Sequence, residues 1–381
     1  LSSYNENIPA QIGDKISASG NLKFITNYKN PGQIDSVTRL KADGITARMS
    51  ADKLGVEIEN VEGNIFIQFK RFIAAIRNHY KESMQKVMSA DDASAIFAML
   101  FGGYAGINQE LVGEFVTTGI VHILSVSGAH MSLLAAAVYY FCTILKLPSK
   151  FTMYFGITVI IIYTILCGML PQVMRSAIMG ILFFTGFLFG YDSIGKRLLT
   201  LTALAMLINN PLLIYDVSFQ LSFTSTAGLI YLTPRIKNFL YKLPQIISVP
   251  FAMTVGAQIA SLPIVIWYFN RVSLSSVLAN IFVMPFLEFV IVGGLVAGIF
   301  AFIIPVAGKI LFAGMAMIFS GAAELNKIFA NLPFSSIQVP TLGFSAGFIY
   351  YVALIFRQKK FLLVLIILLA INFFKTGNEV E

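Results

Sequence analysis

Long apolar runs constrain this chain more than anything else in it. About ten segments, at 120–145, 151–169, 173–190, 198–209, 216–233, 247–269, 274–303, 306–330, 341–356 and 361–374, are rich in Leu, Ile, Val, Phe and Ala and poor in charge. Crossing about 30 Å of hydrocarbon takes roughly 20 apolar helical residues, so the pattern predicts a polytopic α-helical membrane protein of about nine to ten segments. Segment 198–209 is too short to span unaided and is expected to be partial or re-entrant. Composition agrees, with 57% hydrophobic and 12% charged residues, against about a quarter charged in a soluble domain. Cys142 and Cys167 fall within apolar runs and read as small core residues. With so few Cys and His, no metal site is expected.

Residues 1–68 differ. Ile12, Ile16 and Ala18 alternate with polar residues, Gly20, Asn30-Pro31-Gly32 and Asp43-Gly44 punctuate the stretch, and Val56–Glu59 and Ile65–Ile67 read as further short strands. The expectation is a small OB-like β-barrel, with immunoglobulin-like or SH3-like barrels as alternatives. Residues 69–117 read as amphipathic linker helices. Phe69, Phe72, Ile73, Ile76, Tyr80, Met84 and Val87 recur at helical spacing beside Lys70, Arg71, Arg77, Lys81 and Lys86. Such a helix can lie in the headgroup layer or dock on its own protein. A shorter helix is expected from Asp91-Asp92 to Phe101.

The net charge of +8 is unevenly placed. One set of loops holds Lys146, Lys150, Lys196, Arg197, Arg235, Lys237, Lys242, Lys309, Arg357, Lys359 and Lys360; the other holds Arg175, Arg271, Lys327 and Lys375. The positive-inside rule makes the first set cytoplasmic and puts the barrel and the C-terminus outside. An external barrel calls for a signal or membrane helix ahead of Leu1, so trimming at the start is expected.

Polar groups inside apolar runs mark candidate chemistry, because each costs roughly a few kcal/mol at membrane depth. The first run carries His122, Ser125, Ser127, Gly128 and His130. Read as one continuous helix, it puts Ser127 and His130 on one face and His122 two turns earlier. A serine beside a histidine raises an intramembrane serine protease; hydrogen-bonding between helices is the structural alternative. Arg175 falls near the start of the third run, placed either to bind phosphate or to snorkel to the interface. Asp216, Ser218, Gln220 and Ser222 alternate at the start of another run, which suggests an unwound, cavity-lining stretch. Gln258, Ser261 and Pro263, then Pro285 with Glu288, suggest broken helices whose ends would suit an anionic substrate.

These strings together resemble the ComEC family of competence DNA-uptake channels. The family's Gly-x-x-His-Leu-Leu-x-x-Ser-Gly-Leu-His stands here as Gly119 to His130, with Ala129 for Leu. Its Pro-plus-Arg-Ala string is similar to Pro171–Met179, with Ser176 for Ala; its Phe-Gln-Leu-Ser-Phe matches Phe219–Phe223 ahead of Gly228; its Asn-x-x-x-x-Pro matches Asn280 and Pro285. Asn30–Asp35 is similar to a string of the family's barrel. The resemblance implies an N-terminal barrel (1–68), linker helices (69–117) and a competence-type channel domain (118–381). Members often carry a metallo-β-lactamase-like domain with His-x-His-x-Asp-His; no such string stands in these residues, so that domain's nuclease activity is not expected of this chain.

The implied function is passage of single-stranded DNA through the cell membrane during natural transformation, by a transport channel rather than an enzyme. His122, Ser125, Ser127, Gly128, His130, Arg175, Gln220 and Ser222 would line or brace the path, and Arg235, Lys237 and Lys242 would attract the emerging strand. No Gly-x-x-x-x-Gly-Lys-Ser/Thr string is present, so the expectation includes no cofactor. The pulling force is expected from a cytoplasmic ATP-driven translocase, delivery from an external DNA receptor, and assembly as a homo-oligomer is open. The rival classes are the protease above and a small-anion transporter, which would show inverted repeats.

Overall fold

In the computed structural model, residues 14–24, 47–59, 65–103, 106–169, 171–188, 195–339 and 344–356 are described. Two strands, β1 (Lys15–Phe24) and β2 (Ala47–Glu59), pair antiparallel with an irregularity between Ala18 and Gly20. The remainder of the expected barrel lies outside the described residues. Ile65–Ile67 is not a strand. It opens α1 (Ile65–Gln85), because Ile65, Phe66, Phe69, Phe72, Ile73 and Ile76 already repeat at helical spacing and three alternating residues are too few to override that. Arg71 ties α1 to the strand pair through Asp14 at 2.8 Å.

Helix α1 docks by one half. Its C-terminal half docks: Tyr80 and Met84 are buried, and the Tyr80 hydroxyl donates to the Leu295 carbonyl at 2.9 Å. Its N-terminal half leaves Ile65, Phe66, Phe69 and Phe72 exposed. Helix α2 (Ala90–Phe101) follows, capped by the Ser89 hydroxyl, which accepts from the Asp92 amide at 3.0 Å. Helix α3 (Gln109–Thr117) starts on Asn108 in the same manner. Outside the apolar segments, Glu114 on α3 has its carboxyl pushed upward by burial, with the Lys327 ammonium 3.9 Å away pulling it back.

The apolar segments then form α4 (Gly128–Ile144), α5 (Ser149–Leu166), α6 (Pro171–Leu188), α7 (Gly195–Asn209), α8 (Val217–Tyr231), α9 (Thr233–Phe239), α10 (Gln245–Phe269), α11 (Ser276–Phe282), α12 (Met284–Ile303), α13 (Pro305–Ala330) and α14 (Phe344–Phe356). A two-stranded ribbon of β3 (Arg271–Ser273) and β4 (Ser336–Gln338) ties the end of α10 to the turn after α13. Among the described residues α5, α10, α12 and α13 are long and apolar enough to cross a membrane, which supports a helical membrane protein. The expected last segment, 361–374, lies outside the described residues.

Two of the three buried apolar clusters among the described residues surround the site. The larger joins α1, α2, α3, α12 and α13 around Met84, Met99, Phe101, Phe115, Leu287, Val290, Phe312 and Phe319. In it Tyr80 presses on Gly298, where a Cβ would fall 1.7 Å from the ring, so only glycine admits α1 this close to α12. The smaller core packs α4, α5 and α6 through Val126, Met131, Met153, Ile160, Val173 and Phe184. Cys142 and Cys167 are free and buried.

Two expectations about broken helices are corrected. Helix α10 runs unbroken through Pro250 and Pro263, and Asp216–Ser222 is not unwound. Asp216 is the N-cap of α8, accepting the Phe219 amide at 2.8 Å. The alternating polar residues after it belong to regular helix, in which Thr224, Ser225 and Thr226 donate their hydroxyls to carbonyls four residues back. Local bonding of this kind lets hydroxyl residues persist in an apolar helix. The break at Pro285 does occur, between α11 and α12 at Val283.

Candidate functional site

The first apolar run is broken at its polar string rather than helical through it. Val121–Leu124 forms one short 3₁₀ turn, Ser125 and Ser127 are extended, and α4 begins at Gly128. Serine favours such caps because its hydroxyl competes with helical backbone bonding. His122 and His130 therefore sit on different elements, which corrects the expected continuous helix. His122 is exposed; His130 is buried at 2% exposure.

Ser127 and His130 do meet. The Ser127 amide donates to His130 Nδ1 at 3.0 Å, and Ser127 Oγ lies 2.8 Å from the same nitrogen. A backbone N–H can only donate, so Nδ1 carries the lone pair and the neutral ring holds its proton on Nε2. The imidazole thereby caps α4. Nε2 is buried without a hydrogen-bond partner. Ser125 has its hydroxyl on the His122 carbonyl at 3.1 Å, so it braces the 3₁₀ turn.

Arg175 does not snorkel. It sits on α6 at 4% exposure and reaches the amino end of α4 and the middle of α8. Nη2 donates to Ser176 Oγ at 3.1 Å, Nη1 reaches Thr226 Oγ1 at 3.4 Å, and the guanidinium lies 5.4 Å over the Phe223 ring. A Cβ on Gly128 would stand 3.0 Å from Nη2 and 3.0 Å from Ser176 Oγ, so the glycine lets the two elements close on one another. Nε is buried without a partner, and no carboxylate pairs with Arg175 among the described residues. An unpaired charge in a low-dielectric interior costs several kcal/mol.

Three of the four sequence strings thus converge on Arg175. The fourth stands next to them. Gly119, at φ +74°, is packed against Ser273 and Ser276, 2.9 Å from the Ser273 Cβ for a notional methyl. Gln258 on α10 hydrogen-bonds Ser276 Oγ, and Asn280 Nδ2 donates to the Ser276 carbonyl at 2.7 Å. Gln220 is turned back on its own chain, donating to the Ile214 carbonyl at 2.7 Å, whereas the hydrogen-bond partners of Arg175 are Ser176 and Thr226. Thr226 and Phe223 meet Arg175, and sequence reasoning missed both. Their position four residues after Ser222 and Phe219 was the available signal.

Arg235, Lys237 and Lys242 lie exposed at the far end of α8, around α9. Lys196 stands 5.1 Å over the Tyr231 ring and Lys242 5.7 Å over Tyr241, so cations and exposed aromatic faces alternate there.

The apolar helices and this convergence of motifs define a helical membrane protein with a buried arginine among hydroxyls between its helices. A family model described as competence protein matches residues 99–359, and the chain belongs to that family, the ComEC family. It is similar to ComE operon protein 3 of Bacillus subtilis (strain 168), 25% identical over 265 residues covering 69% of this chain and 33% of that protein. It is also similar to Recombination protein 2 of Haemophilus influenzae, 27% identical over 243 residues covering 58% of this chain and 30% of that protein. The chain therefore spans about a third of these relatives' length. No solved structure matches it.

Proposed function

We propose that this chain takes part in DNA uptake during natural transformation, as a membrane channel that passes one strand into the cytoplasm. The observation that carries the reading is the buried, uncompensated Arg175 where three polar strings of the family meet. A strand bears one phosphate per nucleotide and cannot enter hydrocarbon, so it needs a polar seam with few fixed cations: enough to attract, too few to trap. His130, Ser127, Gly128 and Arg175 form one wall; Ser125 and His122 brace its approach; Gln220 and Ser222 hold α8 as the facing side. The exposed cations Arg235, Lys237 and Lys242 then receive the emerging strand on the cytoplasmic side, in the orientation that the loop charges favour. The barrel, ending before α1, lies outside, as does the C-terminus, with about nine to ten segments between them. Partners of this reading are single-stranded DNA, the membrane, an external DNA receptor and a cytoplasmic ATP-driven translocase. The chain acts as transporter, not enzyme.

The test is uptake of fluorescent DNA in a strain lacking the gene, scored separately for surface binding and for internalised, protected DNA. Internalisation should vanish with surface binding kept, return with the wild-type gene, and fail to return with Arg175→Ala. Unchanged internalisation in the deletion strain would remove the channel reading.

A further inference from the structure

Polar side chains inside α10 follow two habits. Thr254 and Ser261 satisfy themselves on their own helix, donating to the Pro250 and Ala257 carbonyls at 2.9 Å. Gln258, between them, reaches out of the helix. Its Nε2 donates to Ser276 Oγ and, at 3.4 Å, to the Ser273 carbonyl. Ser276 is buried and donates its own hydroxyl to the Ser273 carbonyl at 3.2 Å, while Asn280 Nδ2 holds the Ser276 carbonyl at 2.7 Å. The turn from β3 into α11 is therefore pinned by one amide from α10 and one from α11. Gly119 lies against this pinned turn. It ends α3, with its amide donating to the Val116 carbonyl and the Ile120 amide to the Phe115 carbonyl, both at 3.1 Å. Its φ of +74° suits glycine, and a Cβ there would stand 2.9 Å from the Ser273 Cβ and 3.2 Å from the Ser276 Cβ. The 3₁₀ turn that carries the exposed His122 starts at once after it. The His122 ring hydrogen-bonds the Gly119 backbone. Because the Gly119 amide is already engaged, the acceptor is the carbonyl, and the ring nitrogen facing it bears the proton.

We infer that Gln258 is a positioning residue for His122: it fixes the β3–α11 turn through Ser276, the turn seats Gly119, and the Gly119 carbonyl orients the imidazole. One ring nitrogen is spent on that carbonyl, so the other is presented to the open side in a single tautomer. That the open side is the strand's path rests on the channel reading; the relay from Gln258 to His122 rests on the geometry alone. An oriented imidazole offers each passing nucleotide one defined hydrogen-bonding group. A freely turning one would have to be ordered again at every step, at a cost in side-chain entropy. The relay also accounts for a carboxamide in the middle of an apolar helix, where a hydroxyl bonded to its own backbone would otherwise suffice.

The test uses the whole chain in lipid nanodiscs with nitrogen-15 in its histidine rings, at alkaline pH where imidazole is neutral. The His122 signals are identified by their loss in His122→Gln. In the wild type His122 should show one protonated and one bare ring nitrogen. Gln258→Met, which removes the amide at similar volume, and Ser276→Ala, which removes its acceptor, should each bring the two shifts together as the tautomers average. His130, held separately by the Ser127 amide, should keep its shifts in both. Leu287→Ala, a scaffold variant in a fully buried site, controls for simple destabilisation and should leave the His122 tautomer fixed. Averaged shifts in the wild type overturn the inference, as does a fixed tautomer in both relay variants. Averaging in Leu287→Ala equal to that in Gln258→Met overturns it too, because the effect would then be general loosening. At matched protein levels Gln258→Met should slow DNA internalisation roughly fivefold, the scale of one lost hydrogen bond. Unchanged internalisation beside an averaged tautomer would take His122 off the path and leave the relay standing. If the deletion strain still internalises DNA, the channel reading falls and the ring-nitrogen result is untouched.

Discussion

Helices α12 and α8 are both apolar segments of the same bundle, yet they are used in opposite ways. Helix α12 buries Met284, Leu287, Val290, Ile291, Gly294, Ala297, Gly298 and Ala301, a regular stripe at three- and four-residue steps. Helix α8 buries Gly228, while the residues before it are half-exposed on every face. Its Gly228 lies against α10, where a Cβ would stand 2.3 Å from the Gly256 carbonyl oxygen. The stripe on α12 is what packing selects. The polar sequence of α8 is fixed to its neighbour at one tight crossing and otherwise loosely covered, and the proposed path would run along it. Scaffold and seam thus have separable sensitivities.

The largest expected effect is on the scaffold. Leu287→Ala empties a fully buried site and should cost about 3 kcal/mol, read as a lowered midpoint in Trp267 fluorescence-detected unfolding. Gly298→Ala should cost about 2 kcal/mol by driving a methyl into Tyr80 and loosening α1 from α12; proteolysis at α1 would report the release. If either variant keeps wild-type stability, α12 is not the scaffold. On the seam, Phe223→Ala removes the ring over Arg175 and should cost about 1 kcal/mol of stability. Its effect on DNA internalisation should exceed that of Leu287→Ala once protein levels are matched, and the reverse order would erase the distinction. Thr226→Val should cost about 1 kcal/mol of stability and slow internalisation, because it removes a hydroxyl from the buried Arg175 at nearly unchanged volume. A silent Thr226→Val would confine the seam to Arg175 and α4.

Fibrous detail apart, much of this architecture was legible in the chain. Apolar run length announced membrane helices, and the period change near Phe69 announced α1, whose C-terminal half docks on the bundle. The strings at Gly119–His130, Pro171–Met179 and Phe219–Gly228 were legible as special, since polar groups in apolar runs need a reason. Their errors were local. A hydrophobicity pattern cannot tell a continuous helix from a 3₁₀ turn followed by a capped helix, so it reads His122 and His130 onto one continuous helix. Alternating polar residues after Asp216 suggested unwinding because their hydroxyl bonds to carbonyls one turn back are invisible in a pattern. Proline at 263 suggested a break, whereas packing around α10 holds the helix through it.

The sequence by itself determined the solvent of this protein and the residues that would be costly in it. Hydrophobic burial and backbone satisfaction depend on composition and period, and both are written along the chain. Only the tertiary structure decided that Arg175 faces Gly128, Ser176, Phe223 and Thr226, and that no carboxylate answers it among the described residues. Charge pairing is a matter of a few ångströms between segments some fifty residues apart, and no one-dimensional pattern carries that distance.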